Sequence, residues 1–365
     1  MKILILSDAN STHTQKWVKS LSLEGINIHL FSFFNPKVEL IKKYKQYNVN
    51  ITSADIQSNI KNLREPNVSK IKYLKSLPLL MKTIKNFNPE IIHAHYASSY
   101  GLLGALTRFK PFILSVWGSD ISYFPYINIF NRWLMRFIIN RSSMICSTSS
   151  YMKEIIQDEY GRLDVEVISF GVDINFFKPY KNRSKIFKVG TIKSIESHNG
   201  IDCLIDAANI LIKDYKKDFD FTIVGDGSLK EQMIQKVKDL ELEEHIKFTG
   251  HVPHEKILKY FNSLSVFIAV SKRESFGVSV LEAASCEVPS ITSNIGGLTE
   301  VNLDNKTGIV IDYNNPTKLA NSILLLYEKE GFRLKLGRQA RARVIKNFNW
   351  DQSVNQMIKA YRNFE

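Results

Sequence analysis

Short apolar runs alternate along the whole chain with longer segments whose apolar residues recur at helical spacing. In the first half the runs Ile3–Leu6, Ile28–Ser32, Ile91–His95, Phe112–Val116, Met144–Ser147 and Val165–Ile168 predict strands. Thr14–Glu24, closed by Gly25, and Ser149–Tyr160, closed by Gly161, predict helices, because glycine enters the left-handed conformation of a helix end at least cost. The second half repeats the pattern, with strands at Ile186–Val189, Phe221–Val224, Ile246–Thr249, Val266–Val270, Ser290–Thr292 and Ile309–Ile311, and helices that include Ile201–Asp214 and Leu229–Leu240. Such alternation predicts an α/β fold built on parallel sheets. Two successive sets predict two Rossmann-like domains, residues 1–177 and 186–349, joined by the polar linker 178–185. The chain ends in helical segments, Pro316–Lys329, Phe332–Asn347 and Asp351–Phe364, and residues 350–365 are expected to cross back to the first domain. Open parallel sheets take ligands beyond the carboxyl ends of their strands. Two of them facing a central cleft would place the chemistry in loops that follow strands.

Charge adds a second observation. The 365 residues are 44% apolar and 23% charged, as in globular proteins, with a formal net charge of +13. Residues 1–85 hold 14 basic and 5 acidic residues, residues 86–178 hold 8 of each, and residues 179–365 hold 27 and 23. The excess lies mainly between Pro36 and Lys85, and implies an anionic partner: nucleic acid, a membrane surface or a phosphorylated ligand. Within it Ile71, Leu74 and Leu77 share a helical face flanked by Lys70, Lys72 and Lys75. This is either a basic amphipathic surface for anionic lipid or a domain helix, limited by Pro78, with its lysines in water. No recognition helix, aromatic-rich RNA motif or zinc finger accompanies the charge, so nucleic acid is not expected. Cys146, Cys203 and Cys286 are few, odd in number and far apart, which disfavours a disulfide framework and implies a reducing compartment. The apolar part of Met1–Asn10 is too short for a signal peptide and has no cleavage site, so none is expected, and the most apolar stretch, Ile127–Ile139, is interrupted by Asn128, Asn131, Arg132 and Arg136. A cytoplasmic protein, at most peripheral on the inner face of the cytoplasmic membrane, is expected.

The richest constellation is Ser271–Ser285. It follows an apolar strand; Glu274 lies in the loop, Gly277 permits close backbone approach, and a helix begins near Phe276–Val278. The first amides of a helix have no intrahelical acceptor and suit a diphosphate. Glu282, eight residues after Glu274, could accept hydrogen bonds from two vicinal sugar hydroxyls. The competing reading is an amphipathic helix with glutamate as a helix former. In the first half, Ser7–Thr14 follows the first strand without a GxGxxG pattern, which leaves a dinucleotide site unsupported. His13 and Asn10 there either contact a ligand or accompany helix capping by Ser11 or Thr12. His93 and His95 share a strand face but lack a third ligand at metal-binding spacing, so no metal is expected. Asp218-Phe-Asp220 precedes a strand instead of following one and reads as a solvated loop.

These residues, taken in order, resemble the GT4 family of retaining glycosyltransferases of the GT-B fold. Glu274, seven intervening residues and Glu282, with Phe276-Gly277, resemble its EX7E motif. Val167–Asp173 with Phe177 and Pro179, Val224–Gly227, Phe248–Val252, Ser293–Glu300 with Thr307-Gly308, and Asn347–Trp350 resemble further family segments, and the likeness covers nearly the whole chain. The resemblance implies that Glu282 holds the nucleotide ribose. Glu274 and the backbone of Phe276, Gly277 and Val278 would hold donor sugar and diphosphate. Val252 would lie by the base, and Gly296 and Gly297 would let a sheet loop approach the donor. No metal or other cofactor is implied, because cationic side chains and a helix end neutralise the leaving diphosphate. The family's arginine and lysine belong to the segment that here begins at Gly190. This chain departs there: Thr191 stands in place of the arginine and Asn199 in place of the lysine. Lys193 is the candidate cation, with His198 second and Arg273 a further source of charge. The competing reading of Lys193 is a solvated loop lysine.

The first domain would carry the acceptor. Trp117 replaces the histidine of a family segment, offering an aromatic face to a sugar ring, and Asp120 either contacts the acceptor or caps the next segment. Asn10, His13 and His95 complete the acceptor side, one of His93 and His95 being a packed core histidine. The expected reaction moves a hexose or N-acetylhexosamine from a nucleoside diphosphate sugar, UDP-linked, to a glycan or lipid-linked oligosaccharide in surface polysaccharide synthesis. The rivals are a nucleotide-sugar epimerase or hydrolase on the same scaffold, and a basic nucleic-acid-binding protein.

Overall fold

The computed structural model describes residues 1–56, 71–181, 186–216 and 219–365. Lys70, the end of the expected linker and Asp218 lie outside the described residues, as do the side chains of Ile71 and Lys72. The chain divides into two compact units, Met1–Ser169 with Ser353–Glu365, and Phe170–Gln352.

The first unit holds a parallel sheet of β1 (Lys2–Leu6), β2 (Asn27–Ser32), β3 (Asn50–Ser53), β4 (Ile91–His95), β5 (Phe112–Val116), β6 (Met144–Ser147) and β7 (Val165–Val167). Their order is β3-β2-β1-β4-β5-β6-β7, so the direction of winding reverses between β1 and β4. Every residue of β4 and β5 is buried, as expected of central strands covered on both faces. The edge strand β3 was not expected; its sequence, Asn-Ile-Thr-Ser, has one apolar residue and no buried one. Ser149 caps the helix Ser150–Tyr160 by accepting from the Met152 N–H at 3.2 Å, and Gly161 closes it at φ 68°. The helix Thr12–Leu23 starts after Ser11, whose side chain makes no capping bond. A helix over Ile71–Leu74 stops short of Pro78, and Pro78 stands in the first turn of the next, Leu77–Phe87, where its missing N–H costs nothing. Contrary to expectation, Leu77 therefore does not share a helix with Ile71 and Leu74. The C-terminal helix Trp350–Arg362 brings Tyr361 into the first unit, fully buried.

The second unit holds β8 (Lys188–Ile192), β9 (Asp220–Val224), β10 (Ile246–Gly250), β11 (Val266–Ala269), β12 (Ser290–Ser293) and β13 (Gly308–Ile311), in the order β10-β9-β8-β11-β12-β13. All its pairings are parallel, and the winding reverses between β8 and β11. β8 begins two residues later than expected, since Ile186 is 61% exposed. The helix expected over Ile201–Asp214 is α-helical to Asn209 and continues as a π-turn over Ile210–Asp214. Residues 170–177, expected in the first domain, belong to the second unit. The Val172 N–H donates to the Phe348 carbonyl at 2.8 Å, the Trp350 N–H to the Val172 carbonyl at 3.0 Å, and Ser285 Oγ to the Phe177 carbonyl at 2.5 Å. A Cβ on Gly171 would stand 2.6 Å from Trp350 Cα, so only glycine lets these strands of chain meet. Among the described residues no helix is long and apolar enough to cross a membrane.

Candidate active site

In the second unit the loops after β8 and β11, on either side of the winding reversal, carry the two charged residues that matter most. Lys193 is the first residue after β8, and its N–H donates to the Val224 carbonyl at 3.0 Å. Gly225 and Gly227 support that loop: a Cβ on them would stand 1.9 Å from the Lys193 carbonyl and 2.3 Å from that of Ile195. The glycines of that motif are thus required by a backbone contact. Lys193 Nζ donates to the Glu274 carboxylate and, at 3.0 Å, to Ser271 Oγ. The Lys193 side chain is only 8% exposed, which sets aside the solvated-lysine reading. Thr191, in the arginine's place, is buried inside β8. Asn199, in the lysine's place, closes the loop by donating to the carbonyl and hydroxyl of Ser194 at 2.8 and 2.9 Å. The His198 carbonyl accepts from the Lys272 N–H at 2.8 Å, tying the two loops together.

The loop after β12 braces Glu274. The Gly297 N–H donates to the Glu274 carbonyl at 3.0 Å, and a Cβ on Gly297 would stand 2.3 Å from the Ser275 carbonyl. Gly296, at φ +51°, makes the preceding turn. Gly277, at φ +108°, is the N-cap of the helix Val278–Ser285, and no side chain caps it. Phe276 is buried, its ring edge-to-face with Phe348 at 5.8 Å. Glu282 lies in that helix, 7% exposed, with its Oε1 2.9 Å from His254 Nε2. His254 follows β10 by four residues and packs its ring on Phe177 at 5.5 Å. Sequence reasoning missed it: no spacing rule links positions 28 residues apart. Val252 is half-buried two residues before it, and Arg273 is exposed beside Glu274. Gly190 lies within β8, where a Cβ would stand 2.6 Å from the Thr222 carbonyl; its lack of a side chain serves the sheet.

In the first unit the winding reversal places the loops after β1 and β4 side by side, with that after β5 next. His95 is buried, its Nδ1 3.1 Å from Ser7 Oγ, which lies 2.7 Å from Thr14 Oγ1. The Trp117 ring lies 4.6 Å from that of His95 and 5.8 Å from that of His13. His13, His95 and Trp117 therefore form one group, with His13 and Trp117 half-buried. His93 is the packed core histidine, bonded to Tyr361 OH at 2.7 Å and Ser115 Oγ at 2.8 Å. Burial pushes its pKa down to about 3, and burial, then the charges of His93 and His13, hold His95 well below the usual imidazole range. No group of three or more His, Cys, Asp or Glu among the described residues could hold a metal ion. Asp120 is fully buried and accepts from the N–H groups of Ala97 and Gly118 at 2.8 Å and Trp117 at 3.2 Å, so it clamps the loops after β4 and β5. Asn10 joins the loops after β1 and β2, donating to the Asn35 carbonyl at 3.0 Å and accepting from the Lys37 N–H at 2.9 Å. Asn10 and Asp120 thus hold loop backbone, Asp120 through the Trp117 N–H itself.

Comparison with known proteins bears on both units. The family model of glycosyl transferases group 1 matches residues 173–343, and that of glycosyl transferase 4-like proteins matches residues 2–149. An uncharacterised glycosyltransferase of Methanocaldococcus jannaschii is 27% identical over 363 residues, covering 92% of this chain and 94% of its own. Sucrose-phosphate synthase from Thermosynechococcus elongatus superposes with a TM-score of 0.84 at 16% identity, over 100% of this chain and 98% of its own. Anabaena HepE, solved in complex with UDP, superposes with a TM-score of 0.82 at 19% identity over 100% of both chains, and it has also been solved with UDP-glucose. The fold is GT-B, two parallel-sheet Rossmann-like domains. With the two family models matching its two halves in turn, the chain belongs to the group 1, GT4-like glycosyltransferases.

Proposed function

We propose that the protein is a retaining, metal-independent transferase that moves a hexose or N-acetylhexosamine from a UDP-linked donor to a glycan acceptor. The acceptor is carried on lipid at the inner face of the cytoplasmic membrane, in surface polysaccharide synthesis. The observation that carries the donor side is the pairing of Lys193 with Glu274 at the winding reversal of the second sheet, with the Gly277 helix start following in the same loop. Glu282 accepts the ribose hydroxyls, the Val278 end of the helix and Lys193 take the diphosphate, and Glu274 accepts donor-sugar hydroxyls. The complexes of HepE with UDP and UDP-glucose support a uridine donor. On the acceptor side Trp117 gives a sugar ring an apolar face, with His13 beside it. The charge excess of residues 1–85 supports a membrane-held acceptor.

In the proposed step the acceptor hydroxyl attacks the anomeric carbon on the face the diphosphate leaves. The bond from that carbon to phosphate oxygen breaks, the bond to acceptor oxygen forms, and the acceptor proton passes to the departing phosphate oxygen. No enzyme nucleophile takes part; Lys193 and the helix end oppose the charge that grows on the diphosphate. The test is incubation with UDP-sugars and candidate acceptors, read by NMR. A glycoside with the donor's anomeric configuration is expected. An inverted product would refute retention, and free sugar or an epimer formed equally well without acceptor would favour a hydrolase or epimerase.

A further inference from the structure

The helix Ile129–Arg141 of the first unit is apolar on two sides. Asn128 caps it by accepting from the Asn131 N–H at 2.8 Å, and Met135, Ile138 and Ile139 face the core. The opposite side exposes Ile129 by 80%, Phe130 by 63% and Trp133 by 62%, and just ahead of it Tyr123 and Tyr126 are exposed by 42% and 53%. The rings of Phe130, Trp133 and Phe137 form a ladder, with centroids 6.3 and 6.4 Å apart and planes inclined by 28° and 14°. Exposed large apolar side chains usually occur singly; a run of this kind marks a contact surface.

The surrounding charge selects the partner. The helix contains Arg132, Arg136 and Arg141 and no acidic residue. Arg132 pairs with Glu159, while the Arg136 and Arg141 guanidinium groups lie over the rings of Tyr160 and Phe137 at 5.9 and 5.6 Å. At the C-terminal end Lys110 donates to the Arg141 carbonyl, and Arg162 is held by Asp164 at 2.7 Å. These five cations thus face two carboxylates. A two-fold contact between copies of the chain would set the same arginines against each other. A bilayer instead takes aromatic side chains at its headgroup boundary and arginines at its phosphates.

We propose that the face formed by Ile129, Phe130, Trp133 and Phe137 docks on an anionic lipid bilayer, with Arg136 and Arg141 reaching the lipid phosphates. This surface is separate from the basic segment 36–85, and it lies in the stretch, residues 86–178, whose net charge is zero. The inference extends the membrane placement proposed above. Binding to vesicles is read without substrate, so its failure is told apart from failure of the transferase reading. The test is co-sedimentation of the whole protein with vesicles of phosphatidylcholine, alone or mixed with phosphatidylglycerol. The mixed vesicles are expected to bind it at least about tenfold more strongly, and Phe130→Ser with Trp133→Ser to lower that binding about tenfold or more. Both side chains are exposed, so the melting temperature should hold; Arg136→Gln with Arg141→Gln should abolish the preference for the anionic lipid. In the unaltered protein, brominated lipid should quench tryptophan fluorescence, Trp133 being the most exposed indole. Absent binding to the mixed vesicles, absent quenching, or undiminished binding by the serine variant would overturn the proposal. Lipid-free self-association that Trp133→Ser abolishes would also overturn it and assign the face to a second copy.

Discussion

Replacing Lys193 by alanine separates two roles that the structure gives one side chain. The Lys193 side chain is 8% exposed and that of its partner Glu274 24%. An ion pair in water contributes up to about 1 kcal/mol, whereas deleting one partner of a buried pair costs about 3–5 kcal/mol. The Lys193–Glu274 pair lies between these limits, so Lys193→Ala should lower folding stability by about 1–3 kcal/mol. Loss of a fixed charge aimed at the developing negative charge should cost more in the reaction, about 3–4 kcal/mol, or about 100- to 1,000-fold in kcat. The assay pairs transfer kinetics with thermal unfolding of Lys193→Ala, Lys193→Met and Lys193→Arg. Methionine preserves most of the buried stem but, like alanine, leaves Glu274 unpaired, so it should recover little stability and no kcat, whereas arginine should restore the pair with Glu274 and recover part of both. A kcat for Lys193→Ala within a few-fold of the parent, at reduced stability, would refute the catalytic role. Lys193 would then be a structural partner of Glu274, and the exposed Arg273 the next candidate cation.

His254→Phe keeps a ring on Phe177 but removes the donor to Glu282, so nucleotide affinity should fall about tenfold, the worth of one hydrogen bond to a charged group, with kcat unchanged. His254→Gln should restore most of that affinity, and equal calorimetric affinities for all three proteins would reject His254 as the residue that positions Glu282. His93 and His95 give the first unit an acid limit. Their folded pKa values lie below the unfolded one, so between about pH 6.5 and the folded values the unfolded state binds more protons and stability falls as pH falls. Each contributes a slope of up to about 1.4 kcal/mol per pH unit there. Thermal unfolding followed from pH 7.5 downward should show this loss in the first unit, and a flat profile to about pH 4 would contradict the buried, neutral state of the pair.

The fold was legible where burial was two-sided. β4, β5 and β6 coincide with the apolar runs read from the sequence, because central parallel strands permit few polar residues. The edge strand β3 was not, since its Asn-Ile-Thr-Ser sequence carries no alternation that core packing would impose. In β8 the buried stretch is Val189-Gly190-Thr191, whose glycine and threonine conceal a strand that the neighbouring Ile186 mimics. Gly277 and Glu282 stood out from local spacing, because a helix start and a residue within that helix are fixed by the same few turns, and the family resemblance then gave them roles. Lys193 was singled out only through the family resemblance, which implies a cation in the segment after β8. Its contact with Glu274 spans 81 residues and exists because the winding reversal sets β8 beside β11. The contact of Tyr361 with His93 spans 268 residues and has no local signature at all.

Calorimetric titration of the wild type and Glu282→Ala with UDP, in the presence of a chelator, tests the central claim most directly. Saturable binding by the wild type is expected, with a stabilisation of about 2.7 kcal/mol at about 100-fold excess over Kd. Glu282→Ala should bind at least about tenfold more weakly, through loss of hydrogen bonds to a charged acceptor. Failure of the wild type to bind UDP or any other nucleoside diphosphate, or equal affinity in Glu282→Ala, would refute the donor site proposed around Glu282.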